Sequence, residues 1–381
     1  MNVVVAGVIS LPPFVPGIAW DWLHYALGLR DLGHDVTYLE ELDSDWCVDP
    51  GGEPCAFEDS LNRRLFRETM ERFELEGLQL LDGTPAPGSE PELSERCRAY
   101  DVLLNISGHA RSPRVLDGAG RRAYIDQDPV YTQLWIAEYG QRELLDGHDV
   151  FFTHGLNIGT SRTHIPDGGI AWNHLLPPVV LDRWPVANGA APRRFTTIAS
   201  WTTYSDLEYD GEWYRSKYAE FDRFADLPSR VNSGTELEVA LQSWREGDPG
   251  IERLREGGWH LSEAGRIGTL DGYQRFIAES RGEIGIAKEA YVKGRSGWFS
   301  DRATHYLASG RPVLAQATGF EEVLPTGEGL LAFATPEEAA AAIADVDRRY
   351  DDHCRAARAW AETHLDHRRV LPEVLERCLS A

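Results

Sequence analysis

The run from Val3 to Ile9 carries no polar residue. A strand wetted on one side alternates apolar and polar positions, so a run without alternation belongs in a parallel sheet covered on both faces. A Pro/Gly loop follows from Ser10 to Gly17, and Ala19 to Leu32 then shows helical spacing at Trp22, Leu23, Ala26, Leu27 and Leu29. Gly33 stops this helix, and Asp35 to Leu39 reads as the next strand. The resulting β-loop-α-β unit opens a Rossmann-like domain. Its first turn lacks Gly-x-Gly-x-x-Gly, so no nicotinamide or flavin cofactor is expected. Asp101 to Asn105, Arg122 to Ile125 and Asp149 to Thr153 continue the sheet. Pro-rich and charged segments around 47–60 and 82–95 read as surface excursions.

One such domain does not use up 381 residues, which suit two domains of roughly 180 each. The sequence breaks at Leu175-Leu-Pro-Pro178 and stays loose to Pro192, as an interdomain hinge does. A fresh strand starts at Arg194 to Ala199. Later elements are a strand at Gly285 to Ala287, a helix at Asp301 to Ser309, a strand at Pro312 to Ala315, and an Ala-, Glu- and Arg-rich helical tail whose last helix follows Pro372. The expected fold is α/β, with two Rossmann-like domains facing across a cleft. The first spans 1–180 and the second 181–360, and a C-terminal helix at 361–381 crosses back to the first. A ligand is expected in the cleft.

The 61 acidic against 38 basic residues give a net charge of −23, which argues against nucleic-acid and anionic-membrane partners. No apolar run approaches a membrane span, and the N-terminus lacks the pattern of a signal peptide. The five cysteines form no Cys-x-x-Cys, which fits free thiols in a reducing cytoplasm. Only three cations are lysines, Lys217, Lys288 and Lys293, a preference for arginine of the kind that a G+C-rich genome produces.

The most informative stretch begins at Gly297, runs through a helix ending Leu-Ala-Ser-Gly310, continues as Arg-Pro-Val-Leu314, and turns at Thr318-Gly319-Phe320. It resembles the donor-binding half of the nucleotide-sugar glycosyltransferases of two-domain GT-B architecture, which show a Gly turn, a helix ending Ala-Ser-Gly, a Pro-Val strand and a second Gly turn. The likeness is best from about Phe195 to Leu331. The ending Leu-Pro-Thr-Gly-Glu-Gly-Leu330 is similar to that of actinobacterial and spore-maturation-type members. The resemblance implies a nucleotide diphosphate sugar as co-substrate, held without cofactor or metal, with its diphosphate at a helix N-terminus and Gly319 allowing close backbone approach.

One departure stands out. The retaining members carry two glutamates eight positions apart, which fall here on Gly297 and His305. His305, or Glu321 or Glu322 beyond the second turn, would then meet the ribose. The relatives place a diphosphate-neutralising lysine near Lys217, while Lys288 and Lys293 flank the turn before Gly297, with Arg295 and Arg302 as further cations. Ser300, Thr318 and Phe320 complete the expected donor contacts. Asp301, in the first turn of its helix, would repel phosphate.

An inverting enzyme needs a base, which the resemblance implies would follow the first strand, where Asp21 and His24 lie. A retaining one needs none, and a histidine after the fourth strand, here His109, then touches the sugar. Gly17, Trp20, Trp22, Asp128 and His154 would shape an acceptor site for a small, natural-product-like molecule. The chain has no Gly-x-Ser-x-Gly elbow, P-loop or His-Glu-x-x-His, and of its Asp-x-Asp matches Asp43-Ser-Asp45 lies in a loop and Asp126-Gln-Asp128 is the nearest to a strand end. The sequence thus reads as a cytoplasmic, metal-independent glycosyltransferase. The alternatives are a nucleotide-sugar epimerase of the same architecture and a non-catalytic partner subunit.

Overall fold

The computed structural model describes residues 1–11, 15–87, 100–187, 192–242 and 244–380. Pro12 to Phe14 of the first loop, the 88–95 part of the second excursion, Cys97 and the hinge residues 188–191 lie outside the described residues.

Eight strands form the first sheet: β1 (Asn2–Ala6), β2 (Asp35–Leu42), β3 (Glu76–Leu81), β4 (Thr84–Pro85), β5 (Tyr100–Ile106), β6 (Ala119–Asp126), β7 (Val150–Thr153) and β8 (Trp172–His174). Their order is β4-β3-β2-β1-β5-β6-β7-β8, parallel except for the β3–β4 edge pair. Val3 pairs with Val36 on one side and Val102 on the other, and Val3 to Ala6 are all buried. That double coverage is what the unalternating run demanded.

After the hinge come β9 (Arg194–Ser200), a hairpin of β10 (Leu207–Tyr209) and β11 (Glu212–Tyr214), β12 (Glu236–Gln242), β13 (His260–Glu263), β14 (Gly282–Gly285), β15 (Val313–Gln316) and β16 (Leu330–Phe333). The second sheet is wholly parallel in the order β13-β12-β9-β14-β15-β16. In each sheet the order reverses beside its first strand, between β1 and β5 and between β9 and β14. Such a switch point leaves a crevice at the carboxyl ends of the strands.

Helix α1 (Pro16–Asp31) begins on Pro16 and ends before Gly33, whose φ is +85°. It is buried from Ala19 to Leu29, because the second half and the last helix cover what the sheet does not. That last helix, His367–Ser380, crosses back to pack on α1. A Cβ on Gly28 would fall 2.6 Å from the Leu371 side chain, so only glycine admits so close an approach. Val179 N–H donates to the Leu365 carbonyl at 2.7 Å, which ties the hinge to the same tail.

Three local expectations shift. The strand expected at Gly285 to Ala287 lies at β14, because the Ala287 N–H leaves the ladder for the Gln316 side chain at 3.0 Å. Pro372 sits inside the last helix, on its exposed side, rather than ahead of it. The 47–60 excursion is anchored by a Val48–Pro54 bridge over buried Cys47 and Phe57. No described helix is long and apolar enough to cross a membrane.

Candidate functional site

Both switch points open onto one cleft of about 470 Å³ between the halves. The first half supplies Val8 and Ile9 beyond β1, Ser107 and His109 beyond β5, Gln127 and Asp128 beyond β6, and His154 beyond β7. The second supplies Ile198 to Ser200 at the end of β9, Gln242 at the end of β12, Lys288 and Tyr291 beyond β14, and Trp298 to Arg302 ahead of the helix Asp301–Ala308. Among the sequence-derived candidates, Gly17, Trp22, His109, Asp128, His154, Lys217, Lys288, Ser300 and Arg302 line this cleft together.

Lys217 is the first residue of the helix Lys217–Arg223 and only 6 % exposed. Its ammonium has no hydrogen-bond or ion-pair partner among the described residues. Burial, with Arg302 and Lys288 nearby, pulls its pKa well below the usual lysine value. Arg302 donates to Glu283 at 2.5 Å and to the Ile198 carbonyl at 2.6 Å. At the adjoining helix N-terminus, the first-turn N–H groups lack intrahelical carbonyls. A buried, unpaired cation beside such a terminus is a place for a polyanion.

Lys288 differs. Its ammonium donates to Asp128 at 2.7 Å across the cleft and to the Tyr291 hydroxyl at 3.0 Å. Tyr291 and Tyr204 also donate to Asp128, at 2.6 and 2.9 Å. Burial alone would raise the Asp128 pKa, but Lys288 and these donors hold it below the ordinary carboxylate value.

On the first-half wall, His109 stands 5.1 Å from the Trp22 ring. Its side chain has no hydrogen-bond partner among the described residues, and burial with help from Arg111 lowers its pKa to about 4. It is therefore neutral at pH 7. His154 holds the Leu175 carbonyl through Nδ1 at 2.8 Å and faces the Tyr25 hydroxyl with Nε2 at 3.4 Å. Its pKa is also lowered to about 4 by burial.

The other candidates are placed elsewhere. Asp21 lies behind the cleft wall, where Oδ2 accepts from Gln127 and buried Oδ1 has no partner. Burial and the Asp301 carboxylate raise its pKa well above the ordinary carboxylate value, and its side chain does not line the cleft. His24 is sealed: the Val180 N–H points at Nδ1 from 3.1 Å and the Trp184 indole N–H at Nε2 from 2.9 Å. His305, expected at a ribose, stacks on Trp184 at 4.5 Å with Nδ1 3.0 Å from the Tyr273 hydroxyl, and it is fully buried. Its position faces the hinge because it lies on the side of its helix turned from the cleft. Trp20 packs edge-on against Trp184 and donates to the Leu270 carbonyl at 3.1 Å. These rings form an apolar joint between the halves.

Lys293 pairs with Glu212, and Arg295 with Glu322, both away from the cleft. Gly319 gives its N–H to Glu321 at 2.9 Å, Thr318 donates to the Trp298 carbonyl at 2.6 Å, and Phe320 packs on Phe299. The two Gly turns do admit a close approach, but from Asn157 of the first half. A Cβ on Gly297 would lie 2.7 Å from the Asn157 N–H nitrogen, and one on Gly319 would lie 2.4 Å from its amide nitrogen. Sequence reasoning missed Gln127, Tyr204 and Tyr291. The first of these was findable, since it follows β6 next to Asp128.

Two Rossmann-like halves with facing switch points and a C-terminal helix returning to the first half make a GT-B fold. The comparisons with solved structures agree. Anabaena Alr3699/HepE in complex with UDP-glucose superposes with a TM-score of 0.61 over 100 % of both chains at 11 % identity. An alpha-glucosyltransferase (AGT) in complex with UDP gives 0.57 over 99 % of each chain at 11 % identity. The alpha-glucosyltransferase bound to UDP and a 13-mer DNA containing an HMU base gives 0.56, covering 100 % of this chain and 99 % of that one at 11 % identity. No family model and no curated protein matches the sequence.

Proposed function

We propose that the protein is a glycosyltransferase that moves a sugar from a UDP-sugar to a hydroxyl of a small, largely apolar acceptor. The observation that carries this reading is Lys217, a buried cation in the cleft between two Rossmann-like halves that has no hydrogen-bond or ion-pair partner among the described residues. Structural neighbours of the same fold bind UDP or UDP-glucose, which supports a uridine diphosphate as the polyanion. Lys217, Arg302 and the N-terminus of the helix Asp301–Ala308 would meet the charge that develops on the diphosphate as its bond to the sugar C1 breaks.

The acceptor oxygen forms the new bond to C1, and its proton must leave. Asp21 does not line the cleft and His24 is sealed by two N–H donors, so neither meets the acceptor, whereas the leaving phosphate oxygen departs beside it and can take the proton. This favours retention of configuration, with His109 touching the sugar as a neutral imidazole. The apolar lining of Val8, Ile9, Leu11, Val15, Pro16 and Ile18 supports an apolar acceptor. One neighbour was captured with DNA, but a chain of net charge −23 with that lining is poorly suited to a phosphate backbone. The reading calls for no metal.

The test is incubation with UDP-sugars and a panel of apolar hydroxyl compounds, in EDTA, with analysis of product and anomer. Transfer with a retained anomer is expected. Free epimerised sugar without acceptor would support the epimerase alternative instead, and no turnover of any UDP-sugar would contradict an enzyme.

A further inference from the structure

Asp128 and Lys288 are the oppositely charged pair that lines the cleft from both sides, and their hydrogen-bonding capacity is not exhausted. An ammonium has three N–H donors, and Lys288 uses one on Asp128 and one on the Tyr291 hydroxyl. A carboxylate has about four acceptor positions. Lys288 and Tyr291 fill two on Oδ1 and Tyr204 fills one on Oδ2. What remains is one donor on Lys288 and one acceptor position on Asp128 Oδ2, on two paired residues that both line the cleft.

That is the complement of a sugar hydroxyl, which donates and accepts at once. It is a poor complement to a diphosphate, which offers acceptors only and would meet the Asp128 charge. The pair is electrically close to neutral, whereas Lys217 has no salt-bridge partner among the described residues and stands near the positive Arg302 as well as Glu283 and Asp301. The Lys288 ammonium also lies 4.5 Å from the Tyr204 ring centroid and 5.0 Å from that of Tyr291, so the site is framed by apolar ring faces as well.

We infer that Asp128 and Lys288 form the subsite that reads the hydroxyls of the transferred sugar, while Lys217 serves the diphosphate. This rests on the UDP-sugar reading above. It separates two lysines that the sequence alone grouped as phosphate ligands. Tyr204 and Tyr291 are positioning residues that hold the carboxylate in place.

The experiment is calorimetric titration of native protein, Asp128→Asn, Lys288→Met and Tyr204→Phe with UDP and with UDP-glucose, UDP-galactose and UDP-N-acetylglucosamine. The sugar bound best by the native protein serves as reference. In Asp128→Asn and Lys288→Met, UDP affinity should stay within about threefold of native, which also reports a folded cleft, while the affinity ratio of UDP-sugar to UDP falls roughly tenfold, the worth of one charge-assisted hydrogen bond. Tyr204→Phe should lower the ratio less. Parallel loss of UDP and UDP-sugar affinity would overturn the inference and return Lys288 to the phosphate. An unchanged ratio in both charge variants would overturn it too. Failure of native protein to bind UDP at all would sink the glycosyltransferase reading itself.

Discussion

The side-chain amide of Asn157 donates to the Arg295 carbonyl at 2.9 Å and to the Gly319 carbonyl at 3.3 Å, clasping the first half to the second. The clasp depends on the missing Cβ of Gly319, whose φ is +95°. Gly319→Ala combines a strained backbone with a clash against Asn157, and a loss of about 1–3 kcal/mol is expected. Thermal unfolding should show a melting temperature lower by several degrees. An unchanged value would mean that the turn does not hold the halves together.

The cleft-lining imidazole of His109 has no hydrogen-bond partner among the described residues, and burial lowers its pKa to about 4. His109→Asn should lower kcat at least about tenfold while leaving UDP affinity nearly unaltered, the pattern of a group acting on the transferred sugar. A loss confined to UDP binding would move His109 to the nucleotide.

Glu40, at the end of β2, is buried among Ser10 and Gln79 donors, and burial raises its pKa to about 7 despite them. A carboxyl raised on folding gives a stability contribution that is full below its unfolded value near 4.5 and lost as pH rises through about 7. Denaturant unfolding between pH 5 and 8 should therefore show falling stability toward pH 8, by a few kcal/mol at most. Glu40→Gln should flatten that slope. A slope that persists in the variant would assign it to other groups.

Much of the scaffold was legible in the sequence because burial leaves a local imprint. The unalternating Val3 to Ile9 run, the Gly33 stop and the fresh strand at Arg194 mark each element where it stands. The helix Leu61–Phe73 escaped notice because its apolar stripe, Phe66, Met70 and Phe73, is interleaved with charge. In the cleft, His109, Asp128, His154 and Lys288 were legible because each follows the carboxyl end of a parallel strand, and Lys217, Ser300 and Arg302 because each stands at the start of a helix. His305 was misplaced because spacing gives a position on a helix but not which face meets the cleft. Gly297 and Gly319 signalled close approach, but the approaching group, Asn157, lies more than a hundred residues away in the chain. Pairing across a fold has no local signature.

The central claim is that Lys217 is kept buried and unpaired for an anionic ligand. It makes opposite predictions for two quantities in one variant. In ligand-free protein, Lys217→Met removes a buried charge whose desolvation and repulsion from Arg302 and Lys288 outweigh the attraction of Glu283 and Asp301, and should raise stability by about 1–3 kcal/mol. The same variant should bind UDP roughly 10- to 100-fold more weakly. Denaturant unfolding of both proteins, with and without UDP, reads both effects in one experiment. A more stable variant that UDP no longer stabilises is the predicted result. A variant that binds UDP as tightly as the native protein would contradict the account.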